Sequence, residues 1–301
     1  MTPLHADVLR TLLYYDIWKH PLTRREVYAF LPVNSMTLAE FEARLNAEGI
    51  GNSLCETRDH LYVRGHGDEI VDDRRRKEET ADRLWRRAHM SMHIIKRFPF
   101  VRGVFVSGDL SKNVATPQSD VDFLIVTAPG RLWIARTLLI LFKKIVFLNS
   151  KKYFCLNYFV SEDHLRVDEE NIFVATEIAH LKALYNEVLF GRYMTANRWI
   201  RKYFPNFSVT HLAMQQVNNR RSVLQRVAEV LMLVLPLSRI DEFLRQTMEK
   251  VWARRYPRVD AETRKRILRC THYESRAYVG DFEERILAEY RERLRQFGLG
   301  G

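Results

Sequence analysis

A strand, a Ser-Gly turn and a second strand that starts with two aspartates constrain the fold of this chain more than any other feature. Residues 101–106 (VRGVFV) predict a short apolar strand that leads directly into the polar turn SGDLSK at residues 107–112. Residues 119–126 (SDVDFLIV) predict the second strand. Because residues i and i+2 share one face of a strand, Asp120 and Asp122 are expected to point the same way, whereas Val121 and Phe123 point toward the core.

Two carboxylates on one face of a strand repel each other unless a cation lies between them. Like charges about 4 Å apart repel by roughly 4 kcal/mol at an effective dielectric constant of 20. Mg²⁺ relieves this repulsion because it is a hard cation that takes carboxylate and phosphate oxygens as ligands. The turn before the aspartates offers backbone N–H groups and hydroxyls to phosphate, and Gly108 allows a close approach of the backbone. The pattern therefore predicts a site for Mg²⁺ and a triphosphate.

These residues resemble the nucleotidyltransferase superfamily, which includes DNA polymerase β, poly(A) polymerases and the small bacterial nucleotidyltransferases. The family pattern is an apolar strand, a Gly-Ser or Gly-Gly turn, a short loop, and Asp-x-Asp or Asp-x-Glu flanked by apolar residues. Gly108-Asp109, ten intervening residues and Asp120-Val121-Asp122 are similar to that pattern. The resemblance extends directly over about a fifth of the 301 residues.

The resemblance implies a transfer of a nucleoside monophosphate from an NTP to a hydroxyl acceptor, with Mg²⁺ or Mn²⁺ as cofactor and pyrophosphate as leaving group. It implies that Asp120 and Asp122 are catalytic and hold the metal ions. The residues that it implies for contact with the nucleotide are Ser107, Gly108, Asp109, Ser111 and Lys112, the last of which offsets phosphate charge. The acceptor is left open among a small molecule, a protein side chain and RNA.

The chain departs from the family pattern at two positions. Asp109 stands where the family has Ser or Gly, and it brings a negative charge near the expected triphosphate. The family's third carboxylate lies on the strand after the next helix; residues 153–160 predict that strand, and its central polar residue is Asn157, which takes no proton at neutral pH. Glu162 or Asp163, just beyond the strand, is the alternative base. A second hypothesis therefore stays open: a catalytically degenerate nucleotidyltransferase-like binding or regulatory protein.

Residues 1–66 predict three helices followed by a β-hairpin, and this stretch resembles a winged helix. Capping-box patterns at residues 23–26 (TRRE) and 37–40 (TLAE) open the second and third helices. The third helix carries three acidic residues against one arginine: Glu40, Glu42 and Glu48. Because phosphates repel such a helix, duplex DNA is not an expected partner, although a DNA-binding regulator remains the third hypothesis. A protein-docking or substrate-contacting module is favoured.

The whole chain predicts an α+β fold in three parts. A winged-helix-like domain occupies residues 1–66, and a polymerase β-like nucleotidyltransferase core, a short mixed sheet with helices, occupies residues 67–165. Residues 166–301 predict a helical domain, because the apolar spacing is helical throughout and Pro or Gly residues separate its segments. Within it, Glu177 and His180 lie one helical turn apart, and they are either a catalytic pair or a surface or core pair.

The charge of the chain limits its partners. Lys and Arg outnumber Asp and Glu by 48 to 37, which gives a net charge of +11. Such an excess favours anionic partners such as nucleotides or nucleic acid, or serves solubility alone. The longest run of like charges, residues 74–77 (RRRK), opens a long helix predicted at residues 74–98, and a solvated face is expected there.

Cysteine usage and apolar stretches limit the compartment. Three widely spaced cysteines make neither a disulfide framework nor a zinc site, so a reducing compartment is expected. The most apolar stretch, residues 132–148, contains Arg136, Lys143 and Lys144 and is not expected to span a membrane. The N-terminus lacks the cationic and apolar regions of a signal peptide. The sequence therefore predicts a cytoplasmic protein without a membrane partner.

Overall fold

A computed structural model describes residues 1–33, 36–146, 155–208, 217–257, 268–277 and 282–300, without the side chains of Asn157 and Ala277. The helices are α1 (Pro3–Asp16), α2 (Arg24–Ala29), α3 (Leu38–Glu48), α4 (Glu69–Ile95), α5 (Gly108–Ser111), α6 (Leu132–Val146), α7 (Ile172–His180), α8 (Glu187–Ala196), a 3₁₀ helix (Arg198–Lys202), α9 (Val223–Met232), α10 (Leu237–Arg255) and α11 (Phe282–Gln296). The strands are β1 (Leu22–Thr23), β2 (Leu54–Thr57), β3 (His60–Val63), β4 (Val101–Ser107), β5 (Asp122–Thr127), β6 (Cys155–Ser161), β7 (Lys182–Tyr185), β8 (Leu268–Cys270) and β9 (Glu274–Ala277).

The three N-terminal helices and the hairpin form in the predicted order. The Thr23 hydroxyl accepts a hydrogen bond from the backbone N–H of Glu26, whose carboxylate accepts one from the Thr23 N–H at 2.8 Å. Thr37 and Glu40 make the same capping box at the start of α3. Strand β3 pairs antiparallel with both β1 and β2, which gives a three-stranded sheet. The local capping signals therefore predict this segment correctly.

A six-stranded mixed sheet, ordered β7-β4-β5-β6-β9-β8, forms the centre of the rest of the chain. Strands β5 and β6 are parallel and are connected through α6, whereas the other neighbouring strands are antiparallel. The predicted α+β class with a mixed sheet is confirmed. The strand predicted at residues 119–126 begins only at Asp122, so Asp120 belongs to the loop before it.

The prediction of a wholly helical region after residue 166 is wrong. Strands β7, β8 and β9 come from this region, and main-chain pairing adds them to the two edges of the sheet beside β4 and β6. Residues 258–267 of this region lie outside the described residues, and residues 268–270 form β8. The predicted core and the predicted helical part therefore share one sheet.

Alternate residues of β5 pack into two separate cores on the two faces of the sheet. Leu124 and Val126 pack with the N-terminal helices, α7 and α8. Phe123 and Ile125 pack on the other face with α4, α6 and α10. Because side chains alternate along a strand, Asp122 lies on the same face as Leu124, toward the N-terminal helices and α7.

The sequence also bears on the hydropathy of the helices and the state of the thiols. None of the helices in the described ranges is long and apolar enough to cross a bilayer. Cys55, Cys155 and Cys270 are free thiols.

Candidate functional site

The turn after β4 brings Ser107, Gly108 and Asp122 together at one end of the central sheet. Ser107, the last residue of β4, pairs with Asp122, the first residue of β5. The chain then turns at Gly108, whose φ of +67° lies in the left-handed region that favours glycine. A Cβ atom at this position would lie 2.6 Å from Oδ2 of Asp122. The backbone of the turn therefore lies directly against the carboxylate, a contact that any larger residue would disrupt.

Gly108→Ala is expected to lower the free energy of unfolding by about 1–3 kcal/mol, because it adds both backbone strain and a contact with Asp122. Gly130→Ala is the matched control, since Gly130 has a similar φ of +61° but open space around its missing Cβ. The control acquires only the backbone strain, so its free energy of unfolding should fall by about 1 kcal/mol. Urea unfolding of both variants measures the difference, and equal losses would contradict a close approach at Gly108.

Three further carboxylates lie near Asp122. Burial is the main reason that the pKa of Asp122 is raised to about 6, and the negative charges of Asp109, Asp120 and Glu177 add to it against a hydrogen bond with Cys155. The unfolded chain loses this proton near pH 4. The proton therefore stabilises the folded state below about pH 4, and that stabilisation is lost as the pH rises to about 6. At neutral pH the ionised cluster is repulsive.

The loop between β4 and β5 fixes Asp109 in this cluster. Oδ2 of Asp109 accepts a hydrogen bond from Oγ of Ser119 at 3.1 Å, and that Oγ accepts one from the backbone N–H of Thr116 at 3.0 Å. Ser119 directly precedes Asp120, so the two ends of the loop are tied together. The carboxylate of Asp109, the residue that departs from the family pattern, therefore lies near Asp122.

Ser111 and Lys112 have partners that the sequence did not reveal. Ser111 is buried, and its hydroxyl donates to the carbonyl oxygen of Gly108 at 2.8 Å. It closes the turn, and we therefore do not retain the predicted contact of Ser111 with phosphate. Nζ of Lys112 donates to Oε1 of Glu177 at 2.5 Å, which holds this cation beside the carboxylate cluster.

Of the two residues singled out on α7, Glu177 lies near Asp122 and His180 lies in the core. Glu177 is close enough to raise the pKa of Asp122, and it pairs with Lys112. His180 is buried against Phe30, with ring centroids 4.9 Å apart, and burial lowers its pKa to about 3. The one-turn spacing was the available signal for this pair, but it did not show which residue reaches the site.

The position predicted for a third carboxylate lies on β6, the parallel neighbour of β5. Asn157 belongs to β6, and its side chain lies outside the part that the structure describes. Cys155 pairs with Asp122, and burial raises the pKa of its thiol to about 12. Glu162 and Asp163 follow the other end of β6, about 20 Å along the strand from Cys155. Glu162 and Asp163 therefore lie too far from Asp122 to act as the base at the proposed site.

A groove of about 530 Å³ lies away from the carboxylate cluster. Trp199 and four cations line it: Arg166, Arg198, Arg201 and Lys202. Glu170 pairs with Arg166 and Lys202. Because Arg166 follows the end of β6 that is distant from Asp122, the groove belongs to the opposite end of the sheet. It concentrates part of the positive charge of the chain and is not part of the candidate site.

Within the described ranges, no group of three or more His, Cys, Asp or Glu side chains is arranged to hold a metal ion on its own. Comparisons of the chain with protein-family models, curated proteins and solved structures found no match. The function is therefore argued from the geometry and charge of the residues around Asp122.

Proposed function

We propose that this protein is a Mg²⁺-dependent nucleotidyltransferase that moves a nucleoside monophosphate from an NTP to a hydroxyl acceptor. The observation that carries the proposal is the carboxylate cluster: Asp122 lies against a glycine turn, and three neighbouring acids help to raise its pKa to about 6. Such a cluster is unfavourable at neutral pH unless a cation balances it. Carboxylate oxygens are the protein ligands that Mg²⁺ prefers, so the donor set fits this ion.

Each residue of the site has a role in this proposal. Asp120 and Asp122 would hold the ion, because Mg²⁺ commonly takes one or two carboxylates and completes its shell with water and substrate phosphate. When bound, the ion would neutralise phosphate charge and lower the pKa of the acceptor hydroxyl. The Ser107-Gly108 turn would contact phosphate oxygens through its backbone. Lys112, oriented by Glu177, would add a positive charge beside them.

The order of the elements supports the finer parts of the resemblance. Strand β4, the glycine turn, β5, α6 and the parallel strand β6 follow one another in the order of a polymerase β-like core, with Asp122 at the start of β5 and Asp120 just before it. The N-terminal helices and the antiparallel hairpin follow the order of a winged helix. The acidic residues of α3 favour a docking role for this segment over a role in binding DNA.

Incubation of the full chain with each labelled NTP tests the proposal. With Mg²⁺ or Mn²⁺ and a mixture of hydroxyl acceptors, one NTP should release pyrophosphate and label an acceptor or water. Chelation of the metal should abolish this release. Absence of metal-dependent NTP binding with all four nucleotides would overturn the proposal.

A binding protein without catalytic activity is the second candidate, and Asp109 is the observation that favours it. The carboxylate of Asp109 is held near Asp122, where it repels a triphosphate. Metal-dependent NTP binding without release of pyrophosphate would favour this second candidate. Asp109→Ser, which restores the residue type of the family pattern, should then tighten NTP binding.

Asn157→Asp is expected to raise the rate of transfer, because a carboxylate at the third position would accept the proton of the acceptor hydroxyl. A positioned general base contributes about 10²–10⁴-fold. A single-turnover rate with the NTP that binds best measures the effect, and Asn52→Asp is the control, since it adds the same charge at an exposed position before β2. Wild-type turnover that Asn157→Asp leaves unchanged would contradict the assignment of the third position to residue 157.

A further inference from the structure

Helix α9 is packed with its polar side toward the protein. Gln225 is buried, and its Nε2 donates to the carbonyl oxygen of Phe98 at 3.0 Å. One turn later, the Glu229 carboxylate accepts hydrogen bonds from the backbone N–H of Phe100 at 2.7 Å and from the Arg102 guanidinium at 2.8 Å. These bonds attach α9 to residues 98–102, where the chain enters β4. The helix therefore satisfies its polar groups internally and turns its other side outward.

The outward side of α9 is a stripe of aliphatic residues. Six of them, which continue into the turn after the helix, are between 51% and 86% exposed: Val223, Leu224, Val227, Val230, Leu231 and Val234. Their spacing of three and four residues is that of a helix face that packs against another helix. At about 100° per residue, the stripe lies opposite Gln225 and Glu229. The helix thus packs in the opposite sense to a usual surface helix, with its polar side on the protein and its apolar side exposed. None of the residues in the described ranges packs over this apolar side.

We propose that this stripe is a dimer interface, on which α9 of a second copy of the chain packs. A two-fold interface uses the same patch on both copies, and an uncharged aliphatic stripe is complementary to itself. With Leu233 and Leu235 of the following turn, the stripe exposes on the order of 400 Å² of apolar surface. A standard interface buries about 800 Å² per partner, of which about 65% is apolar in homodimers. The stripe therefore supplies most of the apolar area that a stable dimer needs.

The spacing of the stripe favours a helix over a lipid surface as its partner. A helix that lies in a membrane interface keeps its polar face in water and places aromatic residues at the boundary. The polar face of α9 is instead hydrogen-bonded to Phe98, Phe100 and Arg102, where the chain enters β4, and the stripe is wholly aliphatic. The interface would also leave the candidate site accessible, because α9 contacts the start of β4 and Ser107 lies about 20 Å away at its end.

Sedimentation velocity of the full chain tests the dimer. The wild-type protein at tens of micromolar is expected to sediment with twice the mass of the chain. Val227→Glu with Leu231→Glu should raise the dissociation constant of the dimer at least about 100-fold, because each charge would be buried without a partner. Val188→Glu is the matched control, since Val188 is an exposed valine on α8, outside the stripe, and this variant should stay dimeric.

Hydrogen exchange of the wild-type protein keeps the proposal testable if the double variant fails to fold. Amide protection of residues 223–235 should rise with protein concentration, whereas protection of β5 should not. A monomeric wild-type protein at these concentrations, or a folded double variant that remains dimeric, would overturn the proposal. So would a monomer that cosediments with vesicles of phosphatidylcholine and phosphatidylserine, because the stripe would then belong to a lipid surface.

Discussion

Asp120→Asn combined with Asp122→Asn is expected to abolish Mg²⁺-dependent NTP binding and to lower the rate of transfer by at least about 10³-fold. The two amides keep the size of the side chains but remove the negative charges that would hold the ion. Isothermal titration with and without Mg²⁺, followed by single-turnover kinetics, measures both effects. An unchanged dependence of NTP affinity on Mg²⁺ in the double variant would refute the proposed metal site.

The same substitution should stabilise the metal-free protein. The wild-type protein must ionise a carboxyl whose pKa is raised to about 6, whereas an amide at residue 122 needs no proton to be neutral. At pH 7 this difference is about 2 kcal/mol in favour of the variant. It should shrink toward zero near pH 3, where Asp122 is largely protonated in both the folded and the unfolded state. Urea unfolding at the two pH values measures the change.

Glu162→Gln and Asp163→Asn are matched controls for the predicted loss of Mg²⁺-dependent NTP binding. Each removes one negative charge, as the variants at the site do, but both residues follow the distant end of β6. They should leave NTP binding and its dependence on Mg²⁺ unchanged. A loss of metal-dependent binding in these controls would show that overall charge, rather than the cluster around Asp122, governs the affinity for NTP.

Local signals in the sequence predict the parts of the fold that local chemistry decides. Thr23 and Thr37 each lie three residues before a glutamate, and both make the predicted capping boxes. The alternation of polar and apolar residues around Asp122 predicts that its apolar neighbours lie in the core. This pattern is local, so it can be recognised without knowing which distant segments pack against the strand. The positions of Gly108 and Asp122 follow from the same strand and turn signals.

Features that depend on pairing between distant segments were missed. Strand β7 has four residues and stands between two helices, so it shows neither the length nor the alternation of an isolated strand. Its edge position beside β4 is what makes it a strand. Likewise, the resemblance implies that Ser111 contacts the nucleotide, and only the folded turn shows that its hydroxyl donates to the carbonyl oxygen of Gly108. Such contacts are set by tertiary structure and leave no periodic trace in the sequence.

Arg74 makes a further set of tertiary contacts that the sequence does not reveal. The sequence predicted a solvated face for the basic run at residues 74–77, yet Arg74 is buried. Its guanidinium donates to both carboxylate oxygens of Glu26 at 2.7 and 2.8 Å, to Glu78 at 2.8 Å and to the carbonyl oxygen of Pro21. These bonds attach α4, which leads into the central sheet, to the N-terminal helices.

Arg74→Ala is expected to lower the free energy of unfolding by about 3–5 kcal/mol, because it leaves the Glu26 carboxylate without its paired cation and removes the side-chain donor to the Pro21 carbonyl. Arg76→Ala is the matched control: Arg76 is exposed and lies 3.5 Å from Asp73, so its loss should cost less than about 0.5 kcal/mol. Urea unfolding of the full chain at pH 7 compares the two variants. Similar losses would contradict the role assigned to Arg74.

The pH dependence of this loss identifies its cause. Burial alone would raise the pKa of Glu26, but hydrogen bonds and charge from Arg74 outweigh burial and hold the pKa at about 2. The ion pair therefore contributes its full stabilisation above the unfolded pKa of about 4.3, and the stabilisation is lost as the pH falls toward 2. The difference between wild type and Arg74→Ala should accordingly be largest at pH 7 and smaller at pH 3. A loss independent of pH would mean that Arg74 stabilises the junction through packing of its aliphatic stem rather than through its charge.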